Sequence, residues 1–115
     1  MTHYKEQRPW GEFEVLLDTD YTKVKRITVN PGHKSSYQYH SKRNEVWTIV
    51  QGNGELKLND TIIPVSKGYT YHIEKETKHQ IENTGTEDLI FIEVQLGEYF
   101  GEDDIVRLED NYGRA

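Results

Sequence analysis

The sequence contains no cysteine and only three prolines among its 115 residues. Without cysteine, disulfides and thiolate metal sites are excluded. No apolar run approaches the roughly 20 residues that a membrane span requires. The first ten residues, MTHYKEQRPW, lack the apolar region of a secretion signal. We therefore expect a soluble, cytoplasmic protein that does not enter the membrane.

Basic residues are also in deficit, with 14 Lys and Arg against 20 Asp and Glu and a formal net charge of -6. Nonspecific nucleic-acid binding requires a basic patch, so this balance disfavours it. A small anionic ligand needs only two or three local cations and is still possible. Eight tyrosines and two tryptophans favour strands and are typical of sugar-binding sites. The length predicts one domain.

Alternation of apolar and polar residues dominates the chain and predicts strands. The clearest runs are EFEVLL, TKVKRITV, NEVWTIV and DLIFIEVQL, and NGELKLNDTIIPV reads as a hairpin with Asn59 and Asp60 at its turn. Strand-length segments recur about every ten residues, which is typical of an all-β sandwich or barrel. The tail after Gly97 fits either an edge strand or a short helix capped by Asp103.

Three polar residues in the middle of the chain could form half of a metal site. Gln38 and His40 are two residues apart, so on a strand they share a face, and Glu45 follows in the next strand. A turn at Ser41–Asn44 that folded this strand back antiparallel would bring Glu45 near His40. With His79 as a fourth ligand, the nitrogen and oxygen donors would suit zinc, manganese, iron, nickel or cobalt. From these residues alone, the polar face of a half-buried sheet explains Gln38 and His40 equally well.

The spacing of these residues resembles the two motifs of the cupin family. The first motif is matched by Gly32, five residues, Gln38-x-His40, four residues, Glu45, six residues and Gly52, with glutamine in the first histidine place. The second is matched by Gly68, His79 and Asn83, with Glu74 and Glu76 in the proline and glycine places. The resemblance implies a single cupin domain over residues 1–115, with the all-β double-stranded β-helix (jelly-roll barrel) fold.

Almost the whole chain resembles, more closely, the cupin domain of type II mannose-6-phosphate isomerases, which usually follows a mannose-1-phosphate guanylyltransferase domain. The matching segments are RPWG, YTKVKRITVNPG, QYHSKRNEVW, HQIENTG, IEVQLGEYFGEDDIVR and YGR, the last at Tyr112–Arg114. The resemblance implies that the divalent metal, zinc in that family, is bound by Gln38, His40, Glu45 and His79. The sequence has no Gly-rich nucleotide loop, so we expect a stand-alone cupin domain without guanylyltransferase activity.

Four positions depart from the family pattern. Lys42 and Val46 replace histidines, and Glu74 and Glu76 replace the proline and glycine before the last ligand. None is a predicted ligand. We expect these residues near the rim of the site, where they could change the substrate.

The resemblance implies interconversion of mannose 6-phosphate and fructose 6-phosphate through an enediol, in polysaccharide or nucleotide-sugar precursor synthesis. Glu93 is our candidate base, because a carboxylate in the apolar run around it should have a raised pKa or a cationic partner. Arg107 is the first candidate for binding the phosphate. Lys25 is the second if its strand face lines the barrel, and Arg26 replaces it otherwise. A salt-bridged glutamate and solvated basic residues are the structural alternatives.

Other functions are compatible with the same motifs. The altered rim favours a non-catalytic cupin that binds a metal or a sugar, and a cupin enzyme for another substrate, such as an epimerase or a dioxygenase, is a third possibility. We expect a homodimer that binds a small hexose phosphate. The N-terminal arm, residues 1–11, and the C-terminal tail, residues 97–115, are expected to pack on the barrel or on a partner subunit.

Overall fold

The computed structural model describes residues 4–113, so residues 1–3 of the predicted N-terminal arm and residues 114–115 of the predicted C-terminal tail lie outside this range. Within it the chain forms eleven strands and no helix, so this range contains no helix that could span a membrane. The strands are β1 (Tyr4–Arg8), β2 (Gly11–Asp18), β3 (Thr22–Val29), β4 (Tyr37–Tyr39), β5 (Arg43–Gln51), β6 (Asn53–Leu58), β7 (Thr61–Ser66), β8 (Thr70–Ile73), β9 (His79–Asn83), β10 (Leu89–Gly97) and β11 (Val106–Glu109).

The strands form two antiparallel sheets. One has the order β1-β2-β3-β10-β5-β8 and the other the order β11-β4-β9-β6-β7. The chain changes sheet repeatedly, as between β5 and β6 and between β8 and β9, which makes the arrangement a jelly roll rather than two separate meanders. Alternate side chains of both sheets are buried and form one core, whose members are Phe13, Val15, Ile27, Val29, Trp47, Ile49, Leu56, Val65, Ile73, Ile81, Leu89 and Phe91. The predicted all-β fold is confirmed.

The predicted hairpin is formed by β6 and β7. Leu58 pairs with Thr61, and the two residues between them, Asn59 and Asp60, have φ angles of 44° and 73°. Positive φ at both central residues is the geometry of a type I′ turn, which matches the twist of the flanking strands. Asn and Asp tolerate this conformation better than most residues.

The predicted antiparallel return of the chain at residues 41–44 is wrong. β4 lies in the five-stranded sheet, where Gln38 pairs with His79 of β9. β5 lies in the six-stranded sheet between β10 and β8. The short segment between them crosses from one sheet to the other, because the apolar residues of both strands must face the same core. Glu45 therefore approaches His40 across the barrel rather than along a hairpin.

Both ends of the described chain are part of the barrel. Residues 4–8 of the predicted N-terminal arm form β1, the edge strand next to β2. In the tail, the strand alternative is the one observed, since β11 pairs with β4 at the edge of the other sheet. The connection between β10 and β11, residues 98–105, has no regular structure and is called the strap below. Contact of either end with a partner subunit stays a prediction.

Candidate metal centre and adjoining cavity

Three of the predicted ligands meet in the barrel interior. His40 follows β4, Glu45 lies on the inner face of β5, and His79 begins β9, so the two sheets both contribute. One potential ligand atom from each side chain lies within 4.8 Å of the others, and all three residues are buried. His40 Nε2 is 3.4 Å from Glu45 Oε2, and the centroids of the two imidazole rings are 5.2 Å apart.

Backbone carbonyls orient both imidazole rings. His40 Nδ1 lies 2.6 Å from the carbonyl oxygen of Asp104, and His79 Nδ1 lies 2.9 Å from that of Thr77. Because a carbonyl oxygen only accepts hydrogen bonds, each Nδ1 must carry the proton, and each Nε2 is unprotonated and can act as an acceptor or a metal ligand. Burial lowers the pKa of His40 to about 4 and also lowers the pKa of His79, so both rings are neutral at pH 7.

Glu45 is held as a carboxylate by its neighbours. Its Oε1 accepts a hydrogen bond from Trp47 Nε1 at 2.9 Å, and its Oε2 accepts one from Arg43 Nε at 2.8 Å. Burial alone would raise the pKa of Glu45, but the charge of Arg43, and next the charge that the two histidines gain in acid, outweigh burial and lower that pKa to about 2. Glu45 is therefore ionised across the physiological range.

Gln38 lies next to these three residues. It pairs directly with His79 across the sheet, so the two side chains share a face, and it lines the same cavity as His40 and Glu45. Its Oε1 accepts a hydrogen bond from Ser36 Oγ at 2.6 Å, which leaves the second lone pair of the amide oxygen available. Its assignment as the fourth ligand stays a prediction.

The donor set fits a divalent metal ion. Two neutral imidazoles and a carboxylate converge in a buried site, and nitrogen and oxygen donors of this kind bind zinc and other first-row divalent ions. The orientation of each ring by a carbonyl on Nδ1 is the usual outer support of a metal-binding histidine. His79 Nε2 is buried and has no hydrogen-bond partner within residues 4–113. Because buried polar atoms normally have a partner, this lone pair indicates a position for a bound ion or ligand.

Arg43 is a site residue that the sequence reasoning missed. It is buried on the inner face of β5, two residues before Glu45, and its Nη2 lies 3.3 Å from His40 Nε2. A metal ion on His40 Nε2 requires this N–H to turn to another acceptor. Arg43 Nη1 is buried without a hydrogen-bond partner in the described structure. The alternation through Glu45 and Trp47 was the signal that could have placed Arg43 inside.

A cavity of about 100 Å³ adjoins the cluster. The residues that line it include three predicted ligands and all three predicted catalytic residues, namely Gln38, His40, Glu45, Lys25, Glu93 and Arg107. Glu93 is 3% exposed and pairs across the sheet with Lys25 on one side and Trp47 on the other. Burial, and next the negative charge of Glu45, raise the pKa of Glu93 to about 8.

Lys25, not Arg26, faces this cavity. Lys25 is 3% exposed, whereas Arg26 points outward and pairs with Glu14. The Lys25 ammonium group lies 4.0 Å above the ring of Phe13 and 2.5 Å from the carboxylate of Glu102 in the strap. The sequence reasoning used the run GEDDIVR only as a family resemblance, and so it missed the role of Glu102 as the partner of Lys25.

None of the four departures lines this cavity. Val46, Glu74 and Glu76 border a second, more open pocket together with Glu45, and a role of the four at the rim of the site stays a prediction. Val46 lies on the outer face of its sheet, because its neighbours Glu45 and Trp47 face inward. Lys42, Glu74 and Glu76 are exposed in loops. Glu76, in the glycine place of the second motif, has a φ of 65° and donates its N–H to the carbonyl of His40 at 2.7 Å. The positive φ explains why the motif has glycine there.

The jelly roll and the histidine and carboxylate cluster inside it define a cupin with the double-stranded β-helix fold. The family model described as "Mannose-6-phosphate isomerase C-terminal" matches residues 1–110. The chain belongs to this family.

Individual proteins agree with this assignment. The chain is 42% identical over 113 residues to the xanthan biosynthesis protein XanB of Xanthomonas campestris and 40% identical to a mannose-1-phosphate guanylyltransferase of Escherichia coli. Each match covers 98% of this chain and 24% of the relative, so the chain spans about a quarter of their length. Among solved structures, the capsular polysaccharide assembling protein CapF of Staphylococcus aureus is similar, with a TM-score of 0.80 and 27% identity over 95% of this chain and 33% of CapF.

Proposed function

We propose that the protein is a metal-dependent sugar-phosphate isomerase that interconverts mannose 6-phosphate and fructose 6-phosphate in polysaccharide or nucleotide-sugar precursor synthesis. The observation that carries the proposal is Glu93, a buried carboxyl with a raised pKa, in a cavity that is also lined by three of the candidate metal ligands. The description of the family supports the substrate, and the names of XanB and CapF support the polysaccharide context.

The metal would be held by His40, Glu45 and His79, with Gln38 as the fourth ligand, and zinc is the first candidate. When bound, it would supply polarisation of the sugar carbonyl. In the aldose-to-ketose direction, Glu93 takes the proton from C2 and returns it to C1, while the O2 proton passes to O1. A pKa of about 8 suits this task, because both protonation states are accessible near neutral pH.

Two kinds of cation would complete the site. The unpartnered N–H of Arg43 is a donor for the sugar oxygen that becomes negative in the enediol-forming step. Lys25 and Arg107, two of the cationic residues that line the cavity, would bind the phosphate. Binding of phosphate by Lys25 requires Glu102 to give up its contact with the lysine.

The need to displace Glu102 from Lys25 before phosphate can bind favours a second function. Glu102 already neutralises Lys25, so the protein would also suit a role as a non-catalytic cupin that binds a neutral sugar or a metal. Such a protein would bind its ligand without turnover. The isomerase stays our first proposal because isomerisation requires a base such as the buried carboxyl of Glu93, whereas binding of a neutral sugar does not.

We also propose a homodimer in the cytoplasm. The two sheets leave the strands β1, β8, β11 and β7 at their edges, and open edges within the described part of the chain favour pairing with a second copy. Phosphorylated sugars are intracellular metabolites, which supports the location.

A coupled isomerase assay tests the proposal. Purified protein should convert mannose 6-phosphate, lose this activity with a chelator, and regain it with Zn²⁺. His40→Ala should lose both bound metal and activity, while His33→Ala, a histidine that stacks on Tyr112 away from the cluster, should keep both. Protein that is loaded with metal yet turns over none of several hexose phosphates would contradict the isomerase and favour the binding function.

A further inference from the structure

Asp104, a residue of the strap, forms hydrogen bonds with the proposed ligand His40 and with the two residues that follow it. The carbonyl oxygen of Asp104 accepts the hydrogen bond from His40 Nδ1 at 2.6 Å. Its side chain accepts two more, with Oδ1 bound by the N–H of Ser41 at 3.0 Å and Oδ2 by the N–H of Lys42 at 2.9 Å. These three bonds join residues more than 60 positions apart in the chain.

The bonds of Asp104 lie where the chain crosses between the two sheets. His40 ends the β4 side of the crossing, and β5, which carries Glu45, begins one residue after Lys42. Because the carboxylate binds both N–H groups of the crossing, it holds the backbone that separates the two ligands. The carbonyl sets the tautomer and the rotation of the imidazole ring at the same time.

We infer that Asp104 is a positioning residue for the metal centre: through its carbonyl and its carboxylate it holds His40 and the 40–42 crossing in the arrangement that binds the ion. The inference rests on the metal-binding part of the proposed function and not on isomerisation. It makes the strap part of the metal site, although the strap supplies no ligand.

Asn is the informative substitution, because each carboxylate oxygen of Asp104 accepts a different N–H. In Asp104→Asn one oxygen becomes an NH₂ group, which faces a backbone N–H and cannot accept from it. The carbonyl bond to His40 is kept, so the protein should fold. Asp104→Ala removes both side-chain bonds. The matched control is Asp103→Asn, since Asp103 is exposed and its side chain is bound by the Tyr99 hydroxyl instead.

The test measures the Zn²⁺ dissociation constant by competition with a chromophoric chelator, and the ligand field from the Co²⁺ absorption spectrum. Removal of such outer support lowers metal affinity by about 10-fold to 100-fold. We expect about 10-fold weaker Zn²⁺ binding for D104N, a larger loss for D104A and an altered Co²⁺ spectrum in both. D103N should match the wild type. Circular dichroism and the melting temperature without metal identify any general loss of folding.

Two results would overturn the inference. One is folded D104N and D104A protein with Zn²⁺ affinity within twofold of the wild type and the same Co²⁺ spectrum. The other is wild-type protein that binds no Zn²⁺, which would also remove the metal from the proposed function. Wild-type protein that binds Zn²⁺ without isomerising any sugar phosphate would overturn the isomerase and leave this inference standing.

Discussion

The contact between Lys25 and Glu102 leads to a prediction in which removal of a charge improves binding. Glu102 of the strap lies 2.5 Å from the ammonium group of Lys25 and 3.7 Å from that of Lys23. If phosphate binds at Lys25, it must displace this carboxylate. In Glu102→Gln the competing negative charge is absent, so the protein should bind inorganic phosphate and mannose 6-phosphate more tightly than the wild type.

The size of the effect follows from the geometry of the ion pair. A hydrogen bond between charged groups contributes about 1.5–3 kcal/mol. Of the Glu102 side chain, 39% is exposed, so solvent screens the pair and the lower end of the range applies. A difference of about 1.4 kcal/mol corresponds to a tenfold change in the dissociation constant. We therefore expect about tenfold tighter phosphate binding in E102Q.

Isothermal titration with inorganic phosphate measures this change, and the KM for mannose 6-phosphate gives an independent value. Glu98→Gln is the matched control, because Glu98 is an exposed carboxylate of the same strap that does not line the cavity. Its affinity should equal that of the wild type. Equal or weaker phosphate binding in E102Q would refute the reasoning and would remove Lys25 from the proposed phosphate site.

Three further predictions concern individual residues. Glu93→Gln should lower the kcat of isomerisation by about 10²-fold to 10⁴-fold while Zn²⁺ binding stays intact. The kcat/KM of the wild type should rise as the pH increases through about 8, where Glu93 ionises. The folded-state pKa of Glu93 lies above its ordinary 4.5, so its contribution to the free energy of unfolding is complete below pH 4.5 and is lost as the pH rises through about 8. In urea unfolding, E93Q should lack this loss of stability with rising pH. If E93Q and the wild type show the same dependence of stability on pH, the raised pKa is contradicted. Arg43→Lys should lower kcat by about 100-fold, as for loss of an oxyanion donor, with bound metal retained; an unchanged kcat would exclude Arg43 from the reaction. Glu76→Gly should raise the free energy of unfolding by up to about 1 kcal/mol, because relief of the left-handed conformation outweighs the larger backbone entropy of glycine in the unfolded chain. Glu74 has no positive φ, so Glu74→Gly should lower the free energy of unfolding by about 0.5–1 kcal/mol. Equal changes in the two variants would contradict this reasoning.

Much of the site was predictable because strand periodicity is a local property. Alternation placed Glu45 with Trp47, His79 with Ile81, and Lys25 on a different face from Arg26, and the structure has each of these arrangements. The motif spacing pointed to the correct fold family for a related reason. Spacing between ligands reflects strand lengths and turns, which neighbouring residues determine.

The position of Glu93 shows the limit of this local information. Its apolar surroundings predicted a buried carboxyl, and the structure has it buried. Its pKa, however, depends also on Glu45 and Lys25, which come from other strands of the sheet. The residues next to Glu93 in the sequence do not determine how close Glu45 and Lys25 lie to it.

By itself, then, the sequence determined which side chains share a face, where the tight turn at Asn59 and Asp60 falls, and which donors are available to a metal. Only the tertiary structure decided that β4 and β5 lie in opposite sheets, so that His40 and Glu45 meet across the barrel. It also decided that the strap brings Glu102 to Lys25 and Asp104 to His40. The physical reason is that sheet partners are selected by burial of a core shared by the whole chain, and contacts between residues more than 60 positions apart leave no period in the sequence.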